Sequence, residues 1–250
     1  MGRLRAVLRL IAIAVSTLVL HTIYMIGRPL TRRSRRWRNV MVRAWARTLS
    51  RCLGLRSVVE GPRPSGSFLL VSNHVSYVDI LLIAQHADVV FVAMSDMREW
   101  PAIGKLAASV GTIFIDRKSR RDAVRVGSIV EDAVRAGASV ALFPEAASSD
   151  GTDVLPFKPA LLERAARDAQ PVHFAAIRYA QSEVAWGDVP LGPHAWTLLQ
   201  LPRIDASLEF GGSVTARDRK ELAETLWREV RKRVVTSSPR SSDPHSPPAP

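Results

Sequence analysis

Two side chains that can exchange a proton, His74 and Asp79, are separated by four residues in a short stretch of this chain. The stretch follows an apolar run, residues 67–72, which predicts a buried strand. It precedes another, residues 80–84, which predicts the start of a helix. A carboxylate beside a histidine fixes its tautomer and stabilises the imidazolium, so the pair suits a general base. The alternative is a helix start that holds a buried, hydrogen-bonded histidine.

Three later stretches each join a predicted strand to a polar or turn-forming end: residues 111–117, 142–149 and 170–177. Their order and spacing after Asn-His-x4-Asp resemble the motifs of the glycerolipid acyltransferases, the 1-acylglycerol-3-phosphate acyltransferases and their relatives. The resemblance covers roughly residues 55–215. Ala146 and Ala147 stand where the family has Gly-Thr after Phe-Pro-Glu. Phe174 stands where the family usually has a second proline.

The resemblance implies a reaction in which a fatty acyl group moves from an acyl thioester to the free hydroxyl of a lysophospholipid. The simplest acceptor is 1-acylglycerol-3-phosphate, which gives phosphatidate. His74 is the implied base and Asp79 holds it, while Arg117, Glu145 and Lys158 are implied to bind the acceptor. The donor, acyl-CoA or acyl-carrier protein, is already activated, so we expect no covalent nucleophile, cofactor or metal.

Several of these residues also have purely structural interpretations. Arg117 could form a surface ion pair with Asp116, and Glu145 could cap the turn that follows it. His173 is better explained as a packed histidine than as a second base. The lone cysteine, Cys52, allows no intrachain disulfide and is better explained by packing than by nucleophilic chemistry.

Three other functions remain open. The change at Ala146 and Ala147, with the Ser-Ser-Asp-Gly that follows, fits a different acceptor such as a lyso-ornithine lipid. A hydrolase such as a thioesterase would use His74 and Asp79 on water and would need no lysolipid. A non-catalytic membrane-binding protein is the third, and the intact pair argues against it.

The positive charge lies in the N-terminal segment. Residues 1–56 contain 13 arginines and no lysine, aspartate or glutamate, so the net charge of +12 comes from this segment. Residues 8–26 form an apolar run long enough to span a bilayer or lie deep in it. No small-residue cleavage site follows, so we expect a retained anchor on an anionic membrane surface, and no nucleic-acid partner. More arginines follow the run than precede it, which predicts a domain on the cytoplasmic face of the inner or plasma membrane.

The sequence divides into three parts. Residues 1–56 form the membrane-anchoring helical segment, with a helix predicted over residues 35–53. Residues 57–235 alternate short β runs with helices, which predicts an α/β domain with a mixed central sheet flanked by helices. Residues 236–250 are rich in serine and proline and are predicted to be disordered. Within the domain, the segments 186–188 and 193–196 are predicted to be an ordered pair of loops.

Overall fold

The computed structural model describes residues 1–32, 34–116 and 119–236. Within them, seven strands form one sheet in the order β1-β7-β6-β2-β5-β3-β4. The strands are β1 Leu55–Glu60, β2 Leu69–Ser72, β3 Val89–Met94, β4 Ile113–Ile115, β5 Ser139–Leu142, β6 Val172–Tyr179 and β7 Ile204–Val214. The β6–β7 pair is antiparallel and every other pair is parallel, so the predicted mixed sheet is confirmed.

Eight α-helices lie among the described residues. They are α1 Gly2–Leu30, α2 Arg35–Leu53, α3 Val78–Ala84, α4 Ile103–Ser109, α5 Arg120–Arg135, α6 Glu163–Arg167, α7 Leu191–Gln200 and α8 Arg219–Thr236. The helix predicted over residues 35–53 is confirmed as α2. α6 is preceded by a 3-10 turn, Pro159–Leu162, that continues into it.

The core has two halves, one on each face of the sheet. Leu69 and Val71 of β2 point into the half covered by α5, α6 and α8. Leu70, between them, points into the half covered by α1, α2 and α3. This alternation is the two-residue period of a strand whose two faces are both buried. The carboxyl ends of β2, β5 and β6 therefore meet at one edge, held from both sides.

Phe174 determines how β6 meets β7. The pairing shifts between His173 and Ala175, so that Phe174 has no direct partner on β7. Its buried ring lies over Gly211, where any side-chain carbon would overlap it. The guanidinium of Arg233 covers the ring at 4.8 Å. The residue that replaces the family's proline is thus a core side chain at a bulge.

The first two helices pack on each other and on the domain. The indole of Trp37 donates to the carbonyl of Tyr24 at 3.2 Å, and the indole of Trp45 donates to Thr17 Oγ1 at 3.1 Å. Residues from both helices enter the same core half as α3, including Ala6, Ala46, Leu49 and Leu53. β1 begins at Leu55, before the boundary predicted at residue 57.

Helix α1 runs along the domain. Near its start, Arg9 donates to three carbonyls at the end of α7, those of Leu199, Leu201 and Pro202. Near its other end, the Tyr24 hydroxyl donates to the Ser109 carbonyl at 2.9 Å. By length and composition, α1 is the one helix in the described part of the chain that could cross a bilayer. Its outer side is an exposed apolar stripe that includes Leu4, Leu8, Ile11, Val15, Leu18 and Ile26.

One prediction about loops is wrong. Residues 193–196 belong to α7, which buries His194, Leu198 and Leu199 against the domain. Pro193 lies in the first turn of this helix, where the missing N–H costs nothing, because the first amides of a helix have no partner inside it. Residues 237–250, and the disorder predicted for them, lie outside the described residues.

Candidate active site

The structure brings His74 and Asp79 into direct contact. β2 ends at Ser72 and α3 begins at Val78, so the turn between them carries His74 and places Asp79 in the first turn of the helix. His74 Nδ1 lies 2.8 Å from Asp79 Oδ2. A carboxylate accepts, so Nδ1 is the nitrogen that carries the proton. The lone pair of Nε2 is then available to take a proton.

Asp79 is buried completely, and four donors surround it. Besides His74, its Oδ2 accepts from the backbone N–H of Val75 at 2.8 Å and of Ser76 at 3.0 Å. Its Oδ1 accepts from the Tyr179 hydroxyl at 2.8 Å. Burial, helped by the charge of Asp79, raises the pKa of Tyr179 well above its usual value, so this hydroxyl stays a donor. The carboxylate therefore has both oxygens fixed.

The contact of Tyr179 with Asp79 was not predicted from the sequence. Tyr179 lies 100 residues beyond Asp79, at the end of β6. The signal available was a polar residue at the carboxyl end of a strand, and only the order of the strands shows that β6 adjoins β2.

Asn73 fixes the start of the turn that carries His74, residues 73–77. Its side-chain amide donates to the Ile177 carbonyl at 2.9 Å, and its side-chain carbonyl accepts from the Ile177 N–H at 2.7 Å. The side chain thus adds a pair of ladder-like hydrogen bonds after β2 has ended at Ser72. This anchors the turn to β6, the strand that also carries Tyr179.

Glu145, which was predicted to bind the acceptor, is almost fully buried. Its Oε1 accepts from the His74 N–H at 2.6 Å, and its Oε2 accepts from the Leu155 N–H at 2.8 Å. Burial raises the pKa of this carboxyl to about 7, against the two backbone donors, which lower it. The side chain ties the His74 turn to the loop after β5, and its contact with the acceptor stays a prediction.

The loop that follows Glu145 is hydrogen-bonded to the turn that carries His74. The Ser149 N–H donates to the His74 carbonyl at 2.8 Å. The Ser148 hydroxyl donates to the Trp186 carbonyl, and the Trp186 N–H donates to the Val75 carbonyl at 2.9 Å. Two loops from different parts of the chain therefore close on the residues that follow His74.

Ala146 adopts a left-handed backbone conformation, with φ of 62°. The family pattern has glycine at this position, and glycine reaches such a φ without steric cost. An alanine there is strained by about 1–2 kcal/mol. The change from Gly to Ala therefore keeps the shape of the loop and adds strain.

Beside the histidine lies a small apolar cavity of about 70 Å³. The His74 ring stacks on Phe143, with centroids 4.2 Å apart and planes 17° apart. Phe143 also forms part of the cavity wall, so its ring separates the cavity from His74. The other lining residues include Val92, Ile115, Leu142, Ala146, Lys158 and Leu161.

The predicted cations differ in what the structure shows. Lys158 is exposed, lines this cavity, and its N–H donates to the Pro144 carbonyl at 2.9 Å. It therefore lies beside the Glu145 loop. Arg117, the predicted phosphate contact, lies outside the described residues. His173 packs edge-on against Phe68, with centroids 5.7 Å apart, as expected for a packed histidine.

No group of three His, Cys, Asp or Glu side chains suited to hold a metal occurs in residues 1–32, 34–116 and 119–236. Cys52 is partly buried on α2 and is not bonded to another cysteine.

The sequence profile of the Acyltransferase family matches residues 55–180, which include the turn that carries His74, the loop after Glu145, and Tyr179. The chain belongs to this family. A lyso-ornithine lipid O-acyltransferase from Brucella abortus is 36% identical over 218 residues, which cover 78% of this chain and 82% of the relative. The recognition made from the motifs is confirmed, and the protein is an O-acyltransferase.

Two further comparisons agree. A 1-acyl-sn-glycerol-3-phosphate acyltransferase from Neisseria gonorrhoeae is 29% identical over 188 residues, which cover 72% of this acyltransferase and 74% of the relative. The crystal structure of the 1-acyl-sn-glycerophosphate acyltransferase PlsC from Thermotoga maritima superposes with a TM-score of 0.62. It is 23% identical, and the match covers 96% of this chain and all of the other. This second likeness bears on the fold.

Proposed function

We propose that this acyltransferase moves a fatty acyl group from an acyl thioester to a lysolipid hydroxyl, with His74 as the general base. The observation that carries the proposal is the hydrogen bond between His74 Nδ1 and the buried Asp79. It leaves Nε2 as the acceptor of a proton, and the ionised Asp79 stabilises the imidazolium that results. Among the described residues, no serine, threonine or cysteine side chain bonds to the side chain of His74 or Asp79, and a thioester donor needs no such nucleophile.

The steps follow from that tautomer. Nε2 of His74 takes the hydroxyl proton as the oxygen attacks the thioester carbonyl. A tetrahedral intermediate forms and collapses, the carbon–sulfur bond breaks, and the sulfur takes the proton back from the imidazolium. The products are the ester and the free thiol, and His74 is neutral again. Asp79 takes no proton in these steps; it holds the imidazole in place, and its other three donors hold Asp79.

The acceptor we propose is a lyso-ornithine lipid. The Brucella relative with this activity in its name shares more identity with the chain than the Neisseria glycerophosphate enzyme does. Ala146 and Ala147, beside the base, also depart from the Gly-Thr of the glycerolipid acyltransferase pattern. The second candidate is 1-acylglycerol-3-phosphate. It is supported by the Asn-His-x4-Asp motif, which matches the glycerolipid acyltransferase pattern.

Either acceptor has an anionic group, and cations must meet it. We propose Lys158 for this contact, because its exposed side chain lines the cavity beside Phe143 and Ala146. Arg117 is proposed on its motif position alone. The acid that was expected to bind the acceptor, Glu145, is bonded to two backbone amides, so we propose that it acts by positioning His74.

The apolar α1 and the lipid-modifying relatives indicate membrane association. We propose that α1 lies in the interface rather than across the bilayer. Arg9 and Tyr24, about 22 Å apart along the helix, both contact the domain, so the helix cannot leave its surface without breaking those bonds. Its exposed apolar stripe then enters one leaflet. We propose the cytoplasmic leaflet, which the arginines that follow the run support.

The test is a reconstituted assay with purified protein in mixed micelles. Labelled acyl-CoA or acyl-carrier protein is the donor, and lyso-ornithine lipid, lysophosphatidate or no acceptor is supplied. We expect labelled ornithine lipid as the main product, and none with His74→Ala. Thiol release that does not depend on any lysolipid would instead identify a hydrolase. Product from lysophosphatidate alone would replace the proposed acceptor by the second candidate.

A further inference from the structure

Three aromatic rings form a connected surface beside the proposed catalytic turn, residues 73–77. We call this surface the aromatic lip, and its residues are Tyr77, Trp100 and Trp186. The rings of Tyr77 and Trp186 meet edge to face at 5.3 Å, and those of Trp186 and Trp100 at 6.5 Å. All three residues are partly exposed. They come from the catalytic turn, the segment before α4 and the loop before α7, so the fold collects them from three distant segments.

The aromatic lip is fixed to the catalytic machinery. Tyr77 is three residues beyond His74, and the Trp186 N–H donates to the carbonyl of Val75. The Tyr77 hydroxyl lies 3.1 Å from Nδ1 of His194, whose Nε2 lies 3.1 Å from two backbone carbonyls. Those carbonyls require a proton on Nε2, so in the neutral ring Nδ1 accepts from Tyr77. The rings are therefore held in place next to the base.

Two of the three segments that form the aromatic lip lack lysine and arginine. Between Arg178 and Arg203, the span that holds Trp186, the sequence has neither and contains Glu183 and Asp188, both exposed. Between Arg63 and Arg98, the span that holds Tyr77, it again has neither. Trp100 lies between Arg98 and Lys105, and the guanidinium of Arg98 lies over the Phe114 ring. In a chain of net charge +12, Tyr77 and Trp186 thus lie in segments that favour a cation.

We propose that the aromatic lip binds an ammonium group on the headgroup of the acceptor. The faces of indole and phenol rings attract cations, more strongly for tryptophan than for the other rings, and this is how proteins recognise ammonium ligands. The inference rests on the proposed function. Ornithine has two amino groups and one carboxyl group, so a lipid attached through one amine keeps the other as an ammonium. Lysophosphatidate has no such group.

This assignment gives each charge of the acceptor its own contact. The aromatic lip binds the ammonium, and Lys158, beside the loop after β5, binds the carboxylate. The hydroxyl to be acylated must then reach Nε2 of His74. The rival explanation for exposed indoles is anchoring in the membrane interface, where tryptophan is common.

The experiment uses two acceptors that differ in one charge: lyso-ornithine lipid and its N-acetyl derivative, in which the free amine is neutral. The full-length protein and its Trp186→Leu and Trp100→Leu variants are assayed with both in mixed micelles. We expect the parent to prefer the charged acceptor by about fivefold or more in kcat/KM. Each variant should lose most of that preference through a higher KM for the charged acceptor, and should change little with the acetylated one.

Trp196→Leu is the matched control, because it removes an exposed indole of α7 that lies outside the aromatic lip. It should keep the preference. Equal losses with both acceptors in the lip variants, accompanied by weaker vesicle binding, would assign the rings to the membrane and overturn the inference. A parent that acylates lyso-ornithine lipid but does not distinguish the two forms would overturn the lip while the proposed function stands. A parent that acylates only lysophosphatidate would overturn both.

Discussion

The hydroxyl of Tyr179 donates to the second oxygen of Asp79 at 2.8 Å, on the side away from His74. The histidine–aspartate pair is therefore the inner part of a three-residue chain that begins on β6. Tyr179 is partly buried and its hydroxyl is bonded to Asp79, so we expect it to act by positioning and polarising Asp79.

Replacing Tyr179 by phenylalanine should lower kcat/KM about tenfold, because Asp79 loses a bond that fixes its orientation toward His74. A hydrogen bond to a buried charge is worth about 1.5 kcal/mol or more, and the lost orientation should outweigh the stronger charge on Asp79. The acid limb of the pH–rate profile should also move to higher pH, since an Asp79 that no longer shares its charge stabilises the imidazolium more. Tyr24→Phe, which removes a hydroxyl bonded to Ser109 far from the pair, should leave the profile in place. An unshifted profile in the Tyr179 variant would reduce the contact to packing.

His74→Ala should lower acyl transfer by about 10²–10⁴-fold, the usual contribution of a general base. Asp79→Asn should also fall steeply, because the amide cannot supply the charge that stabilises the imidazolium. The measurement is thiol release from acyl-CoA with lysolipid present, alongside melting curves that establish folding. A folded His74→Ala protein with more than about a tenth of the parental rate would exclude His74 as the base.

Glu145→Gln should lower kcat more than it raises KM, because Glu145 contacts the backbone of His74 and not solvent. A glutamine has one carbonyl oxygen for two N–H groups, so one buried donor loses its partner. A larger effect on KM for the acceptor would support the substrate-binding role predicted from the motif.

The same variant tests the raised pKa of Glu145. Its folded value of about 7 lies above its ordinary 4.5, so its stabilising contribution is present below about pH 4.5 and is lost as pH rises through 7. The melting temperature of the parent should therefore fall between pH 5 and 7.5 by more than that of Glu145→Gln. Parallel curves for the two proteins would place the carboxyl pKa near its ordinary value.

Ala146→Gly should raise the melting temperature by about 2 °C. Relief of the strain at positive φ, about 1–2 kcal/mol, exceeds the entropy that glycine adds to the unfolded chain, about 0.5–1 kcal/mol. Ala133→Gly, inside α5, is the control and should lower it, because glycine weakens a helix interior. If both variants were destabilised alike, the left-handed conformation at 146 would carry no strain.

Leu18→Glu should release the protein from vesicles while leaving it folded. Leu18 is 68% exposed on the outer stripe of α1, so a charge there meets the membrane and not the core. Val124→Glu, on the other face of the sheet, is the control and should stay bound. A substitution is preferable to deleting residues 1–56, since α1 and α2 supply part of the domain core. Retention of the Leu18 variant would place the membrane contact elsewhere.

Much of the arrangement was predictable because it is local. The apolar runs marked β2, β4, β5 and β6, and the spacing of His74 and Asp79 marked a turn that brings them together. What was missed depends on partners distant in sequence. Tyr179 reaches Asp79 because β6 lies beside β2, and Glu145 bonds to the N–H of His74, 71 residues before it. α7 was missed because Gly192 and Pro193 in its first turn are typical of loops.

The bonds between Arg9 and the end of α7 join residues about 190 positions apart. During synthesis at about 5–20 residues per second, α1 emerges some 10–40 s before the carbonyls that will hold it. For that time the side of α1 that will pack on the domain has no protein to cover it, and a bilayer is the nearest apolar phase. The order of the chain thus delivers the helix to lipid first, and the domain then assembles against a helix already at the membrane.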